Sequence, residues 1–414
     1  MARIETTPPQ RLKRVAALAA LTALAGLTAL AQAHDLSLDP LPSTPGWRVG
    51  AAAAVTATRA SDPWPATRWP GVPGSGQTPS DRRGLGLEHA TVDAAAAFGD
   101  RHGAYLALGR HGQDPGHLEA ARIESRWRFG LDTLALQLGR DRVPMGGLLT
   151  AAGHFDRHGQ APLVKRAVLN DDWISDGVNL RWTRGVAEGV QGVDLGLWRA
   201  RTYPGGLSGR PAPAAHLQAA WGHLSVDGFA AFLSPQSRGT PAVGNAAGHS
   251  HSQPDCRRSL AAITCFDGRT RVLGASASWD SEDLPLRLSA AGLLQHDDGE
   301  LYSARGQAND RANIRGGWVD AQWRWSREWQ SSLRAERLMA EHQLIGIGAS
   351  LVAADAGLVG NRPINRLSAA VQWQLTPALQ LGLDAGAERS GLPANRWIGL
   401  RAIWSDMNLL AGDW

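Results

Sequence analysis

The sequence predicts an all-β protein whose strands close into a transmembrane antiparallel up-and-down β-barrel of about sixteen strands, within a range of roughly 14–18. Three observations lead to this prediction. Apolar and polar residues alternate with a period of two from residue 46 to the C-terminus, long and short connections alternate along the chain, and aromatic residues collect near the short connections. Bacterial outer-membrane barrels combine these features, with long extracellular loops and short periplasmic turns.

The N-terminal 33 residues have the composition of a secretory signal peptide. The basic stretch "RLKR" precedes the apolar run "VAALAALTALAGLTALA", and "AQA" at 31–33 has the small-residue pattern of a cleavage site. An export signal has this order of charged, apolar and small residues, whereas a membrane anchor needs a longer and more hydrophobic run. We therefore predict a signal peptide at 1–33, a short segment at 34–46 and one outer-membrane barrel at 47–414.

The period of two divides the chain into short segments that we predict to be strands. They begin near residues 47, 85, 103, 118, 131, 177, 192, 214, 223, 270, 284, 316, 329, 366, 378 and 396. No convincing long helix interrupts them.

The connections between these segments alternate in length. The odd-numbered ones are long at 59–83, 143–175, 235–269, 296–315 and 341–365, and shorter but rich in Gly and Pro at 111–117, 201–213 and 389–395. The even-numbered ones are tight or nearly so, as in "GDRHG" and "FGLD". A soluble sandwich would scatter its long loops between both ends, so the pattern favours a membrane barrel.

The strands separate apolar from charged residues. At 121–129, Ile123 and Trp127 share a face that opposes Arg122 and Arg126. Near the short turns the apolar face carries a belt of aromatic residues: Trp47, Phe98, Trp127, Phe129, Trp182, Trp221, Trp279, Trp323, Trp325, Trp329, Trp373 and Trp404. Such a belt is typical of a membrane interface, whereas the alternative, a soluble lipocalin-like or sandwich core, would spread its rings along the strands.

The opposite face is charged and is predicted to line a lumen. Its basic residues are Arg48, Arg122, Arg126, Arg128, Arg181, Arg287, Arg324, Arg334, Arg366 and Arg401, and its acidic residues are Asp93, Glu124, Asp194, Asp320, Glu336, Asp384 and Glu388. So many charges require water and partners, which predicts a filled aqueous channel with a mild anion preference. The alternative is that these pairs only brace the wall.

The connection at 143–175 is long enough to fold into the barrel mouth and narrow it. It brings together three basic and two acidic residues, Arg157, Lys165, Arg166, Asp171 and Asp172. A solvated surface loop is the alternative interpretation.

The stretch "LGRDRVPMG" at 138–146, followed by "DGVNLRW" at 176–182, resembles the corresponding strand and loop start of the phosphate-selective porins. The resemblance implies a sixteen-stranded, often trimeric, anion-conducting barrel in which lumen arginines act with clustered lysines. Arg126 and Arg128 match such a ladder.

The chain departs from this family in two ways. Lys13 and Lys165 are its only lysines, so the lysine cluster is missing. Its ending "DMNLLAGDW" differs from the usual terminal aromatic strand, with Trp414 in place of the customary Phe.

These features predict a water-filled channel for passive diffusion of small hydrophilic solutes in the outer membrane of a Gram-negative bacterium. The predicted partners are outer-membrane lipid, small hydrophilic or anionic solutes, and copies of the chain in a homotrimer; no cofactor is predicted. The net charge of +4 is dispersed along the strands rather than clustered, which argues against nucleic acid.

Two other functions compete with a general channel. His249 and His251, with Asp255 nearby, indicate metal uptake through a loop, and His154 and His158 lie in another long connection. An outer-membrane enzyme would need a Ser and a His within hydrogen-bonding reach. His216 and Ser225 lie on neighbouring predicted strands, but no spacing singles out a catalytic triad.

Cys256 and Cys265 are the only cysteines. In an exported protein such a close pair predicts a loop disulfide, while a zinc site completed by the loop histidines is the alternative.

Overall fold

A computed structural model describes residues 41–413 except 43, 65–68, 74–82, 113–115, 154, 187–188, 244–253, 259, 359, 361 and 391–393. The predicted signal peptide, His154, His249, His251 and Trp414 lie outside the described residues. No helix in the described part of the chain has both the length and the apolar character needed to cross a membrane.

The described residues form seventeen strands and three short helices. The strands are β1 (Gly46–Ala60), β2 (Gly84–Phe98), β3 (His102–Arg110), β4 (His117–Phe129), β5 (Asp132–Arg142), β6 (Ile174–Val186), β7 (Gly189–Arg199), β8 (Pro211–Trp221), β9 (Leu224–Leu233), β10 (Arg238–Pro241), β11 (Ile263–Asp280), β12 (Leu286–Tyr302), β13 (Gln307–Arg324), β14 (Trp329–Ile345), β15 (Ile364–Thr376), β16 (Leu379–Arg389) and β17 (Asn395–Asp413). The helices are α1 (Gly147–Ala151), α2 (Leu163–Leu169) and α3 (Ala349–Ala356).

Sixteen of the strands close into one antiparallel barrel, which confirms the predicted fold class. Each of these sixteen strands pairs with the strands before and after it in the barrel, with β9 joined directly to β11. The ring closes where β1 pairs with β17. The short β10 pairs with β11 beyond the end of β9. Closure matters because an unpaired edge in lipid would leave backbone groups without hydrogen-bond partners, at several kcal/mol each.

The long connections leave one end of the barrel, here named the long-loop end, and the tight turns leave the other, the short-turn end. Two predicted connections are wrong in part. The predicted loop at 235–269 contains β10 and the start of β11, from Ile263 onward. β12 extends to Tyr302 and β13 begins at Gln307, so the predicted loop at 296–315 is mostly a projecting hairpin. Beyond the lipid the outer face no longer has to be apolar, so the alternation that marks a strand is lost there.

The two faces of the wall differ as the sequence predicts. Outward-facing Leu, Ile, Val and Phe side chains remain exposed around the barrel, among them Leu106, Ile123, Leu195, Leu217, Phe232, Leu273, Val319, Leu333, Leu367 and Leu400. The predicted aromatic belt lies on strand ends beside the short turns, where Trp329 stacks on Trp373 with ring centroids 5.4 Å apart. Apolar outer faces with interfacial rings are what a bilayer requires.

Two structural features hold the connections at the long-loop end in place. A disulfide joins Cys256 to Cys265 and ties the connection after β10 to the start of β11. Helix α3 packs Val352 and Ala356 against Phe266 and Leu301. The long-loop end is therefore built partly from packed structure rather than open loops.

Candidate functional site

The connection between β5 and β6 lies inside the barrel. We call residues 143–173 the inserted segment. Its helices contact β11 to β14, and its apolar side chains pack with Trp198 on β7, Phe229 on β9 and Ile364 on β15. A single short segment can contact strands on several sides of a closed barrel only if it lies in the lumen. The sequence left this folding open as one of two interpretations.

The ends of helix α2 follow from local sequence. Pro162 lies at the N-terminal end of the helix, where backbone N–H groups have no partner within the helix, so its missing N–H costs no helical hydrogen bond. Asn170 ends the helix in the left-handed conformation with a φ of 56°. All seven of its side chains are buried. The Lys165 ammonium lies 2.8 Å from an Asp172 carboxylate oxygen and donates to the Ala152 carbonyl at 2.7 Å, which satisfies its charge in this buried position.

Gly146 allows the segment to turn inward. Its φ of 97° lies in the left-handed region, and a Cβ there would stand 2.6 Å from the Cβ of Asp227 on the barrel wall. A larger residue would meet both a backbone penalty and a clash at this position.

The lumen wall has two levels of opposite character. Near the long-loop end, Val272, Leu293, Ile314 and Leu338 form an apolar band against which the inserted segment packs. Near the short-turn end the wall is polar, and glutamine side chains at 322, 330 and 372 form a hydrogen-bonded row across β13 to β15. The sequence did not predict this apolar upper level, where the side chains pack against the inserted segment rather than face water.

Three predicted lumen arginines anchor the inserted segment. Arg334 binds Asp156 of the segment at 2.6 Å and Asp320 of β13 at 3.0 Å. Arg366 donates to the Ala161 carbonyl at 3.1 Å while bound to Glu388 at 2.8 Å.

Arg401 is held in the same way on β17. It donates to the Asp156 carbonyl at 2.7 Å and binds Glu88 at 2.9 Å. Glu336 accepts the backbone N–H of Leu163 at 2.7 Å. These charges fasten the segment to the wall and do not line open water.

Other predicted lumen arginines are also paired. Arg48 binds Asp93 at 3.0 Å, Arg181 binds Asp194 at 2.7 Å, and Arg122 and Arg126 bind Asp141 and Glu124. Asp384 accepts the indole N–H of Trp397 at 3.0 Å. These pairs brace the wall, which is the alternative that the sequence left open: wall and segment carboxylates pair with most of the predicted lumen arginines.

Three predicted lumen arginines differ from these. Arg128, Arg287 and Arg324 lie on inward-facing positions at the short-turn end and are exposed. In the described part of the chain, no carboxylate lies within 4.0 Å of any of the three. Arg287 lies opposite Asp280 in the register of β11 and β12 and donates to the Ser278 hydroxyl at 3.0 Å, whereas Arg128 and Arg324 lie opposite the uncharged Thr133 and Gln330.

The predicted constriction residues fall into two groups. Arg157 donates to Gln322 and lies 3.7 Å from Asp320, so it extends the anchor on β13. Lys165 and Asp172 pair within the segment, and Arg166 lies 3.7 Å from Asp171 and stacks on Trp69. None of them is a solvated loop charge.

The structure separates the candidate catalytic pair. Both ring nitrogens of His216 face carboxylates at 3.0 Å, those of Asp194 and Asp227, and the Ser225 hydroxyl pairs with Ser278 at 2.7 Å. Neither group is placed to activate the other.

Sequence reasoning missed Glu88, Asp141, Asp156 and His158 as parts of the lumen. Asp156 and His158 belong to the segment, whose path no strand period predicts. Glu88 lies at a β-bulge on β2, where the register shifts between Ala54 and Val55 of β1 and the alternation of faces breaks.

His158 is buried in the anchor. Its ring nitrogens lie 3.1 Å from the hydroxyls of Ser332 and Ser368, and Nε2 is 3.5 Å from Asp320. Burial, together with the Arg334 charge, lowers the pKa of His158 to about 4. For the neighbouring Asp156, burial alone would raise the pKa, but Arg334 and Arg157 outweigh it and hold that pKa well below its usual range.

We expect acid to loosen the inserted segment through His158. A histidine released into water has a pKa near 6.5, so the free energy by which His158 holds the segment in place decreases as the pH falls below that value. This contribution is lost completely below about pH 4. The difference corresponds to about 3 kcal/mol. Backbone hydrogen exchange in residues 155–170, measured at pH 7 and pH 4.5 and corrected for its intrinsic pH dependence, should be faster in acid, and His158→Gln should suppress most of that change.

The matched control is His102→Gln, an exposed histidine at the short-turn end of β3 whose Nδ1 bonds the Ser125 hydroxyl at 2.9 Å. It should keep the acid response. An equal response in wild type and His158→Gln would contradict the assignment.

No family model and no curated protein matches the chain. Solved outer-membrane structures do share its fold. Outer-membrane expressed OmpT of Vibrio cholerae superposes with a TM-score of 0.53 at 9% identity, covering 88% of this chain and 99% of its own. In vitro folded OmpT in a trimer form gives 0.53 at 10% identity, with coverage of 87% and 100%.

An anion-selective porin from Comamonas acidovorans gives 0.50 at 12% identity, covering 87% of this chain and 99% of its own. At such identities the likeness concerns the fold: this chain has the barrel architecture of outer-membrane proteins that include porins.

Proposed function

We propose that this protein is an outer-membrane porin, a water-filled channel for passive diffusion of small hydrophilic solutes that is narrowed by the inserted segment. The observation that carries the proposal is the two-level lumen. A folded segment fastened within the long-loop half lies above a polar short-turn half, an arrangement that restricts a passage rather than building a catalytic site.

A mild preference for anions is part of the proposal. The exposed guanidiniums of Arg128, Arg287 and Arg324 contribute positive potential where solutes pass the short-turn mouth, and exposed charges in a confined channel attract ions of opposite sign. Phosphate selectivity is not proposed, since Arg126 of the suggested ladder is bound to Glu124.

The same proposal covers targeting and assembly. The segment at 1–33 serves as the export signal, the apolar outer face contacts outer-membrane lipid, and the chain forms a homotrimer. The V. cholerae OmpT trimer form shares the fold and motivates this assembly. Native mass spectrometry in detergent tests it, with a monomer alone as the contrary result.

Planar bilayer recordings test the channel and its selectivity together. Purified protein should give steady unitary currents, and a KCl gradient should give a reversal potential biased towards chloride. The triple variant Arg128→Gln, Arg287→Gln and Arg324→Gln should shift that potential towards zero, because three fixed positive charges leave the mouth.

A control triple removes three exposed, outward-facing arginines at the long-loop end: Arg271→Gln, Arg337→Gln and Arg389→Gln. It changes the net charge equally and should leave the reversal potential in place. Absence of any current would overturn the channel proposal, whereas equal shifts in both triples would overturn only the role given to the mouth arginines.

A further inference from the structure

Three histidines and a glutamate meet on the inner wall at the long-loop end of β2, β3 and β4. His89 lies on β2, His111 directly follows β3, and His117 and Glu119 are at the start of β4. None of them was a candidate in the sequence, because they are scattered over thirty-one residues without a metal-ligand spacing.

The potential ligand atoms converge on one point. The Nε2 atoms of His89, His111 and His117 lie 2.9, 3.4 and 3.6 Å from the same carboxylate oxygen of Glu119. The ligand atoms of His89, His111 and Glu119 all lie within 4.8 Å of one another. Bonds of about 2.1 Å in a tetrahedral zinc site separate neighbouring ligands by about 3.4 Å, so small side-chain adjustments would complete the geometry.

Two β-bulges produce this convergence. On β2 the register with β1 shifts beside His89, and on β4 the register with β3 shifts so that Glu119 is the unpaired residue between Leu118 and Ala120. Regular alternation would turn Glu119 outward, opposite to the inward Ala120. Bulges are over-represented beside functional sites because they re-aim a side chain in this way.

The surroundings of Glu119 support a fixed position for its carboxylate. Thr91 lies within hydrogen-bond distance of its second oxygen at 3.2 Å. On the facing strand, a Cβ on Gly109 would lie 2.2 Å from the carboxylate oxygen that faces the histidines. Because Gly109 has no side chain, the Glu119 carboxylate can occupy this space. Thr91 is a hydrogen-bonding partner of the kind that orients metal ligands from outside the coordination sphere.

The cluster is enclosed but can be reached. The side chains of His89 and His111 are 7% and 5% exposed, and those of His117 and Glu119 are 17% and 19% exposed. Phe155 of the inserted segment stacks on His89 with ring centroids 5.0 Å apart and covers the cluster from the lumen side. An ion could therefore enter from the mouth and be held away from bulk water.

We propose that His89, His111 and Glu119, assisted by His117, bind a divalent first-row transition metal ion such as Zn²⁺. Imidazole and carboxylate are the ligands these ions take, whereas calcium and magnesium prefer oxygen ligands throughout. The bound ion would cross-link β2, β3 and β4 at the mouth. The proposal concerns binding to the wall and does not depend on channel activity.

Zinc titration of the purified full-length barrel in detergent tests the site. After removal of metal with EDTA, calorimetry with Zn²⁺ should show one site per chain that His111→Ala and Glu119→Gln each weaken by about 100-fold or more, and Thr91→Val by about tenfold. Cobalt substituted for zinc should give the intense visible absorption of a four-coordinate site, and Glu119→Gln should remove it.

Two controls make the outcome decisive. His102→Ala removes an exposed histidine from the opposite end of β3, and a variant with His249→Ala and His251→Ala removes the loop pair; both should bind zinc like wild type. Heat-dependent gel mobility verifies that each barrel is folded, and Thr91→Val reports on the site without removing a ligand. Equal binding by wild type and Glu119→Gln, or loss confined to the loop variant, would overturn the proposal.

Discussion

Replacing residues 147–170 with a short Gly-Ser linker should raise the single-channel conductance several-fold. The inserted segment fills the long-loop half of the lumen with packed apolar side chains, so its removal replaces protein with water over that half of the lumen. The barrel itself should survive, because its sixteen strands close through their own backbone pairing. Planar bilayer recordings of the two proteins provide the measurement.

The control for this deletion is a linker of equal composition placed in the projecting hairpin at 303–306, away from the lumen. It should conduct like wild type. If the lumen deletion and wild type conduct equally, the inserted segment is not the constriction, and the solute path lies elsewhere in the barrel.

Substituting Arg334 by Gln should detach the inserted segment from the wall at a cost of about 3–5 kcal/mol, because it removes the cation nearest to the buried carboxylates of Asp156 and Asp320. Arg157 remains, but only at 3.9 and 3.7 Å from these two groups. Arg334 is almost completely buried, so water cannot take over its role while the segment stays in place. Trypsin digestion of the folded barrel measures the release, since Arg157, Lys165 and Arg166 become cleavage sites once the segment leaves the lumen.

Arg337→Gln is the matched control, because this residue lies three positions further along β14 and faces outward. We expect fast cleavage within 157–166 for Arg334→Gln and wild-type resistance for Arg337→Gln. Resistance of both variants would show that the apolar packing holds the segment without the ionic anchor.

The barrel could be predicted from sequence because lipid imposes a simple rule on every strand. Most observed strand starts lie within three residues of the predicted ones, as with 46 against 47 and 364 against 366. The two large differences, at Ile263 and Gln307, are places where strands continue beyond the lipid. There the outer face meets water, and the pattern that marks a strand disappears.

The candidate site could be predicted only in part, because its partners come from outside the strand pattern. The alternation of faces along a strand correctly places Arg334 and Arg401 on the inner face. It cannot show that Asp156 of the inserted segment neutralises Arg334. Glu119 faces inward only through a β-bulge, which has no marker in the amino-acid pattern. The sequence therefore indicated which charged side chains face the lumen. It did not indicate which of them lack a paired carboxylate.

The position of the inserted segment in the chain has a consequence for how the protein is assembled. The segment is synthesised before β6 to β17, yet its anchors are 178 residues away at Arg334 and 245 residues away at Arg401. Contacts of such long sequence separation form late and slow the folding rate. The anchors therefore cannot form until β14 and β17 have joined the sheet, so the constriction is completed no earlier than the wall that surrounds it.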